Sequence, residues 1–315
     1  MLKVKESVKN HQNQLERWLH REDYAGRKGI DLVKKYVTFV NGTEEADIGI
    51  SWHGNVVYGV PKEKCILMKN EPPIYNCFFN KKLNDPKYKK DFLAVMASNK
   101  TDANDHYYNI PRHEYMFMKE HFDVEKDKFL CTILRNKRWS YWRNYIDLRN
   151  RKYNQHTLLN FRKKGDIVFS KRFKGKYQSY GGPWVSPTYY GKIPGDGISL
   201  YDVLSHYKLC FAPENSRFWG YVCEKAFQAM CCGSVPIYYG APDVEYYYPK
   251  GTFIDCREFK NFGQLCDYIQ QLKDEDFEDY RKKMKRFLTT NQSEDFSSVT
   301  FAKRFLKVLG ELKLV

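Results

Sequence analysis

Residues 207–255 read YKLCFAPENSRFWGYVCEKAFQAMCCGSVPIYYGAPDVEYYYPKGTFID, and they carry the strongest structural signal in the chain. An apolar run ends at Phe211, a polar loop follows, and a helix-like segment then begins with Glu224 and Lys225. Gly233 ends that segment before a second apolar run begins. The order strand, polar loop, helix, glycine and strand predicts a βαβ unit.

The polar and ionic side chains of this unit gather where the first strand ends and the helix begins. Open α/β sheets bind ligands at that edge, because free N–H groups at a helix start and the helix dipole attract anions. Lys225 suits a phosphate, and Glu224 suits hydroxyl groups, so together they indicate a nucleotide-sugar. The same Glu-Lys pair in isolation is equally an exposed ion pair on a helix surface.

The segment ENSRFWGYVCEKAFQAMCCGSVPIYYGAP, residues 214–242, resembles the donor-binding signature of the α-1,3/4-fucosyltransferases, glycosyltransferase family 10. Residues 248–259 resemble its continuation, whereas Cys223 replaces the usual threonine and Ala212-Pro213 precede the motif. The resemblance implies an α/β fold of GT-B type, in which two Rossmann-like domains face a cleft. It also implies inverting transfer of L-fucose from GDP-β-L-fucose to a glycan hydroxyl, in α-1,3 or α-1,4 linkage.

The resemblance further implies which side chains bind the donor, namely Asn215, Tyr221, Glu224 and Lys225. The family uses an arginine early in this domain for the diphosphate, seven residues before a leucine. Arg151 has that spacing to Leu158, Arg149 is the next candidate, and Arg143 is a third. An arginine suits this role because its planar fork binds two phosphate oxygens at once.

Inverting transfer requires a carboxylate that takes the proton of the acceptor hydroxyl. Glu71 follows an apolar strand-like run and precedes Pro72-Pro73, and the family has a glutamate at the matching place. We therefore predict Glu71 as the general base. Asp102 and Asp105 are the alternatives, in a polar turn that offers no strand to fix them. Read without the family, Glu71 is a surface residue before a turn.

The charge of the chain indicates an anionic partner. The formal net charge is +15, and basic residues interleave with aromatic ones between 135 and 176. Single-stranded nucleic acid, a nucleotide-sugar and an acidic membrane surface all suit such a patch. No nucleic-acid-binding signature accompanies it, so we expect GDP-fucose and a glycan acceptor as partners, no nucleic acid, and peripheral contact with acidic membrane. A GT-B transferase for another GDP-sugar is the nearest alternative, and a non-catalytic nucleic-acid-binding protein is a distant one.

Cysteine usage and hydropathy bear on the cellular location. Nine cysteines are scattered without metal spacing, and Cys131, Cys210, Cys231 and Cys232 fall in apolar runs, which predicts buried thiols. The sequence shows neither a signal peptide nor a transmembrane segment, so we expect a cytoplasmic protein, soluble or peripheral to a membrane. We expect no required metal or cofactor and leave stimulation by Mn²⁺ open.

The length of 315 residues suggests two domains. We predict an acceptor-binding α/β domain over 1–125, a GDP-sugar-binding Rossmann-like domain over 126–288, and a C-terminal amphipathic helix over 289–315 that packs on them. Residues 4–26 are predicted to be helical.

Overall fold

A computed structural model describes residues 1–7, 14–23, 25–69, 85–98, 105–110, 114–135, 156–182, 188–193 and 198–315. The chain forms two compact units. The first comprises Met1–His113, Trp219–Tyr221 and Asn291–Val315, and the second comprises Glu114–Phe218 and Val222–Thr290. The division thus falls at Glu114 rather than near residue 125, and the C-terminal segment from Asn291 is part of the first unit.

The first unit contains a six-stranded parallel sheet in the order β2-β1-β3-β4-β5-β6. Its strands are β1 Leu2–Glu6, β2 Val37–Phe39, β3 Ile48–Trp52, β4 Cys65–Lys69, β5 Ala94–Ala97 and β6 His106–Tyr107. β3 and β4 are buried along their whole length, as expected for central strands of a parallel sheet that is covered on both faces.

The predicted helix over residues 4–26 is wrong at its start, because Leu2–Glu6 form strand β1. Val4 is fully buried, and β1 pairs with β2 on one side and β3 on the other. The helix in this region is confined, among the described residues, to Gln14–Leu19. Because charged residues stand on both sides of Val4, the periodicity of the sequence does not indicate that this segment is a central strand.

Glu6, at the end of β1, shows how a charged side chain is accommodated in that strand. One oxygen, Oε2, accepts hydrogen bonds from the backbone N–H of Leu15 at 2.9 Å and from Nε1 of Trp52 at 2.7 Å. Burial raises the pKa of the Glu6 carboxyl, and these donors act against that rise. A buried carboxylate without such donors would destabilise the fold, so both hydrogen bonds are needed. Since one donor is the backbone of Leu15, they also fix the start of the first helix against the sheet.

The second unit has a parallel sheet of six strands in the order β10-β9-β7-β11-β13-β14. Its strands are β7 Lys128–Ile133, β9 Tyr177–Tyr180, β10 Tyr189–Gly191, β11 Tyr207–Phe211, β13 Val235–Tyr238 and β14 Ile254–Asp255. The short antiparallel pair of β8 His156–Thr157 and β12 Ser216–Arg217 lies beside it. In chain order the large sheet reads 3-2-1-4-5-6, which is the strand order of a Rossmann fold.

Helices connect these strands in both units. Those of the first unit are α1 Gln14–Leu19, α2 Ile30–Val33, α3 Pro86–Lys89 and, from the end of the chain, α10 Ser298–Glu311. Those of the second unit are α4 Tyr115–His121, α5 Leu159–Arg172, α6 Ile198–Ser205, α7 Glu224–Cys231, α8 Phe262–Gln271 and α9 Asp274–Leu288. The predicted βαβ unit is confirmed as β11, α7 and β13, and the predicted amphipathic C-terminal helix is confirmed as α10.

The apolar face of α10 lies in the core of the first unit. Phe301 contacts the rings of Trp18 and Tyr108, with centroids 5.7 and 5.3 Å apart. The hydroxyl of Ser298 accepts a hydrogen bond from the backbone N–H of Gly29 at 2.9 Å. The first unit is therefore assembled from two distant parts of the chain.

Candidate functional site

The strand order of the second unit predicts where a ligand binds. Chain order reverses between β7 and β11. Because crossovers between parallel strands are right-handed, the helices on either side of such a point cover opposite faces of the sheet. A crevice therefore opens at the carboxyl ends of these two strands. The loop after β11 and the start of α7 lie at this edge, where the sequence predicts the donor site.

Two glycines allow the chain to close around this edge. A Cβ atom on Gly165 in α5 would lie 2.6 Å from ring atoms of Phe211, so α5 approaches β11 only because that residue is glycine. A Cβ atom on Gly240 would lie 2.4 Å from Cγ of Glu214. Larger residues at either position would displace the loop that carries Glu214 or the helix that faces it.

A buried arginine of α5 contacts the loop after β11. Arg162 is 2% exposed, and its Nη1 donates a hydrogen bond to Oδ1 of Asn215 at 2.6 Å. Its Nη2 donates to the carbonyl oxygen of Arg135 at 2.9 Å. The backbone of Asn215 is held as well, since its carbonyl oxygen accepts from the N–H of Leu158 at 2.9 Å. The guanidinium therefore has a fixed position at the carboxyl edge of the sheet.

Glu214 joins the loop to the start of α7. Its side chain is fully buried, and its Oε1 accepts the backbone N–H of Cys223, the N-cap residue, at 2.7 Å. Its Oε2 lies 3.6 Å from Nζ of Lys225. Burial raises the pKa of the Glu214 carboxyl, while Lys225 and the Cys223 N–H act in the opposite direction. Glu214 thus binds the N–H of the N-cap residue and ties the loop after β11 to the start of α7.

Lys225 lies between two carboxylates in the first turn of α7. Its Nζ is 3.1 Å from Oε1 of Glu224 and 3.6 Å from Oε2 of Glu214. Burial lowers the pKa of the ammonium, but the negative charges of Glu224 and Glu214 outweigh it, so the pKa lies above its usual value. Arg162 is near enough for its charge to lower that pKa in part. Lys225 therefore remains a cation at every physiological pH.

These residues form a compact cluster whose members differ in exposure. Arg162 and Lys225 are cations beside a helix start; Arg162 is buried, the Lys225 side chain is 14% exposed and the Glu224 side chain is 43% exposed. Cations and helix N–H groups in a site of low polarity stabilise a diphosphate, including one that leaves during a reaction. An exposed carboxylate next to them can accept hydrogen bonds from hydroxyl groups. The arrangement suits a nucleoside diphosphate bound through its phosphates.

The structure brings together three of the predicted donor-binding residues, Asn215, Glu224 and Lys225. Tyr221 is 3% exposed and belongs to the segment Trp219–Tyr221, which groups with the first unit, so its role stays a prediction. Glu71, Arg149 and Arg151 lie outside the described residues, as do Arg143 and Asp102. Their predicted roles are untested by the geometry.

The environment of Asp105 differs from the sequence expectation of a polar turn without support. Its side chain is 4% exposed, and its two oxygens accept hydrogen bonds from Nζ of Lys69 at 3.0 Å and of Lys89 at 2.6 Å. Burial lowers the pKa of Lys69 to about 8, against the attraction of Asp105. Asp105 is therefore engaged with two cations rather than open to a substrate proton.

Sequence reasoning missed Arg162 and Glu214. The contact between Arg162 and Asn215 spans 53 positions, and the basic segment around Arg162 offers many arginines of similar appearance. Its place in the first turn of a helix, three residues before Gly165, was the available signal. Glu214 was visible in the polar loop, but its burial and its bond to Cys223 follow only from the fold.

In the part of the chain described above, the cysteines are all buried free thiols, as predicted for Cys131, Cys210, Cys231 and Cys232. In the same residues no three His, Cys, Asp or Glu side chains are grouped so that they could hold a metal ion. No helix in that part is both long and apolar enough to cross a bilayer.

Solved structures share this architecture. A crystal structure titled α1,3-fucosyltransferase with GDP superposes with a TM-score of 0.61, covering 98% of this chain and 90% of that one at 14% identity. At that identity the likeness establishes the fold alone. Two units that each carry a parallel sheet between helices are the hallmark of the GT-B class of glycosyltransferase folds, and this chain has that fold.

Sequence comparison finds a family match over part of the chain. Residues 186–306 match the C-terminal model of glycosyltransferase family 10 (fucosyltransferase). An α-(1,4)-fucosyltransferase of Arabidopsis thaliana is 41% identical over 76 residues, which are 24% of this chain and 19% of the relative. An α-(1,3)-fucosyltransferase of Helicobacter pylori is 41% identical over 73 residues, 22% and 15%. The matched segment thus spans less than a fifth of either relative.

Proposed function

We propose that the protein transfers L-fucose from GDP-β-L-fucose to a hydroxyl group of a glycan acceptor, with inversion and in α-1,3 or α-1,4 linkage. The observation that carries this proposal is the cluster of Arg162, Asn215, Glu214, Glu224 and Lys225 at the switch point of the second sheet. Apart from Arg162, the residues of the cluster lie inside the segment that matches the fucosyltransferase family model. The names of the two relatives and the GDP complex of a similar fold support the choice of donor.

In the proposed reaction the acceptor oxygen attacks C1 of fucose from the face opposite the diphosphate. The bond between C1 and the diphosphate oxygen breaks, and GDP leaves with the bonding electron pair. Arg162 and Lys225 stabilise the negative charge that develops on the diphosphate, because both are cations held in place before the reaction begins. The acceptor proton passes to a carboxylate, for which Glu71 remains our candidate.

We propose that this transfer needs no metal ion, since two fixed cations already face the diphosphate. Turnover in the presence of EDTA tests that statement, and added Mn²⁺ measures any stimulation. The thiol state of the buried cysteines supports a reducing location such as the cytoplasm. Contact with an acidic membrane is a proposal that rests on the +15 net charge alone.

The decisive experiment is a panel of glycan acceptors incubated with GDP-fucose and analysed by mass spectrometry. Transfer adds the mass of one deoxyhexose to an acceptor. Parallel reactions with GDP-mannose and UDP-glucose test the alternative of another nucleotide-sugar, because the cluster addresses the diphosphate more directly than the sugar. Binding of GDP without transfer from any donor would refute the enzymatic proposal. Salt-dependent RNA binding without GDP affinity would favour the nucleic-acid alternative.

A further inference from the structure

A second cavity opens at the same carboxyl edge of the second sheet, beyond β13 and β14. Its volume is about 450 Å³, within the range of small-molecule pockets. Its walls come from α5, the start of α8 and the ends of three strands, and the residues that matter here are Phe161, Lys164, Arg217, Tyr239, Phe259 and Lys260. The cavity lies wholly within the second unit.

The charges on its walls are of one sign. Lys164, Arg217, Arg257 and Lys260 line it, and no carboxylate is among the described residues that do so. Arg257 is engaged by Asp255 and Glu245, so its charge is already balanced. Lys164 and Lys260, both exposed, produce a positive potential at this concave surface, which concentrates anions.

Arg217 gives this potential a fixed centre. It is 7% exposed, its Nη1 donates to the carbonyl oxygen of Gly240 at 3.4 Å, and its guanidinium lies 5.2 Å from the ring centroid of Tyr239. Helix α8 adds its positive end, because its N-cap Asn261 lies on the cavity wall and accepts the N–H of Gln264 at 3.0 Å. A mobile surface lysine alone would not define an anion position in this way.

Aromatic rings form the apolar part of the wall. The ring centroids of Phe161 and Tyr239 are 4.5 Å apart, and those of Phe161 and Phe262 are 4.8 Å apart. These rings offer flat apolar faces beside the cations. A wall that combines cations with aromatic rings is the composition expected for a ligand with an apolar face and one anionic substituent.

The cavity is a neighbour of the diphosphate cluster and distinct from it. Phe161 precedes Arg162 in α5, and Arg217 follows Asn215 by two residues. Yet β13 and β14 lie on one side of β11, away from the switch point next to β7. The cluster at the switch point accounts for the diphosphate, and the cavity offers a separate position for an anion.

We propose that this cavity binds the carboxylate or phosphate of an anionic sugar in the acceptor, in addition to the acceptor contacts that the sequence predicts for residues 1–125. The identification of the ligand as a glycan acceptor rests on the proposed function, whereas the anion site itself does not. Lys164 and Lys260 set the affinity for the charge, Arg217 fixes its position, and the aromatic wall receives the sugar ring. The acceptors favoured by this chain are therefore acidic glycans.

The first test measures binding directly. Methyl β-glucuronide, methyl β-glucoside and inorganic phosphate are titrated into the full chain saturated with GDP, and binding is followed by ligand-observed NMR. The double variant Lys164→Glu/Lys260→Glu reverses two exposed charges of the cavity. The control Lys171→Glu/Lys174→Glu makes the same change in net charge at exposed positions of the same helix and its end.

We expect the glucuronide and phosphate to bind the native protein and the control alike, and at least tenfold more weakly to the cavity variant. Because ion pairs of this kind are screened by salt, the difference should shrink at high ionic strength. The binding of the glucoside should be the same in the native protein and in both variants. Equal weakening in both variants would show a diffuse field. Glucuronide binding that appears only when GDP is left out would assign the cavity to the donor. Either result overturns the proposal.

The second test uses transfer and separates this inference from the proposed function. The kcat/KM is measured for two acceptors that differ only in a terminal glucuronate or glucose. The cavity variant should lose at least tenfold for the acidic acceptor and less than twofold for the neutral one. Equal losses would sink the inference while leaving fucosyl transfer intact. Glucuronide binding without any turnover of GDP-fucose would refute the proposed transfer and still support the anion site.

Discussion

Replacing Lys225 by methionine should separate two roles that the structure gives to one side chain. The variant keeps most of the volume and removes the charge. If Lys225 contacts the diphosphate, loss of one charge-assisted hydrogen bond weakens GDP binding by about 1.5–3 kcal/mol, roughly 10- to 150-fold in Kd. The same change leaves Glu214, which is fully buried, without its neighbouring ammonium at 3.6 Å.

The loss of stability can be worked from the same contact. Removing one partner of a buried ion pair costs about 3–5 kcal/mol, and we expect about 3 kcal/mol because Oε1 of Glu214 keeps the N–H of Cys223. The penalty depends on pH. Burial raises the pKa of the Glu214 carboxyl in the folded protein. A carboxyl group whose pKa is higher in the folded than in the unfolded state favours folding at low pH, and this stability is lost as the pH rises through the folded-state pKa. The deficit of the variant should therefore shrink from pH 8 toward pH 5.

A double variant, Lys225→Met with Glu214→Gln, provides the control. Glutamine still accepts the Cys223 N–H and carries no charge, so most of the lost stability should return. The affinity for GDP should not return, because the cation is still missing. Urea unfolding and calorimetric titration with GDP measure the two quantities on the same samples. Recovery of native GDP affinity in the double variant would refute the assignment of Lys225 to the diphosphate.

Three further outcomes are expected. Glu71→Gln should lower kcat by about 10²–10⁴-fold and leave the Kd for GDP unchanged. If this variant keeps near-native turnover while Asp102→Asn or Asp105→Asn is inactive, Glu71 is not the general base. Arg162→Lys should weaken GDP binding at least tenfold, because a lysine cannot replace both Nη contacts. The control Arg172→Lys, at an exposed position, should leave GDP binding unchanged. Equal Kd values for GDP in both variants, measured by calorimetry, would contradict this. Alkylation of denatured, unreduced protein should label nine thiols by mass spectrometry, and a reproducible count of seven or fewer would show a disulfide.

Local sequence signals were sufficient for the parts of the fold whose interactions are close along the chain. The unit β11, α7 and β13 was predictable because the apolar runs, the charged first turn and Gly233 each agree with the same structure. Helices α8 and α9 offer a local signal of the same kind, since each has a continuous apolar face.

The failures concern residues whose partners are distant in sequence. Strand β1 reads as part of a charged helix, because the bond between Glu6 and Trp52 that makes its charge tolerable spans 46 positions. Arg162 could not be told from its basic neighbours without its contact to Asn215. Asp105 was judged by its own polar surroundings, while Lys69 and Lys89 reach it from other elements. Burial of a charge is a property of the assembled fold, and a local pattern contains no measure of it.

The position of α10 has a consequence for the order in which the protein folds during synthesis. Phe301 and its neighbours complete the core around Trp18 and Tyr108, yet about 180 residues of the chain separate His113 from Asn291. At ribosomal speeds of 5–20 residues per second, the first unit waits on the order of 10–35 s for its missing helix. The second unit is contiguous enough to fold meanwhile. We therefore expect the unit that emerges first to mature last, with its apolar face exposed to chaperones in the interval.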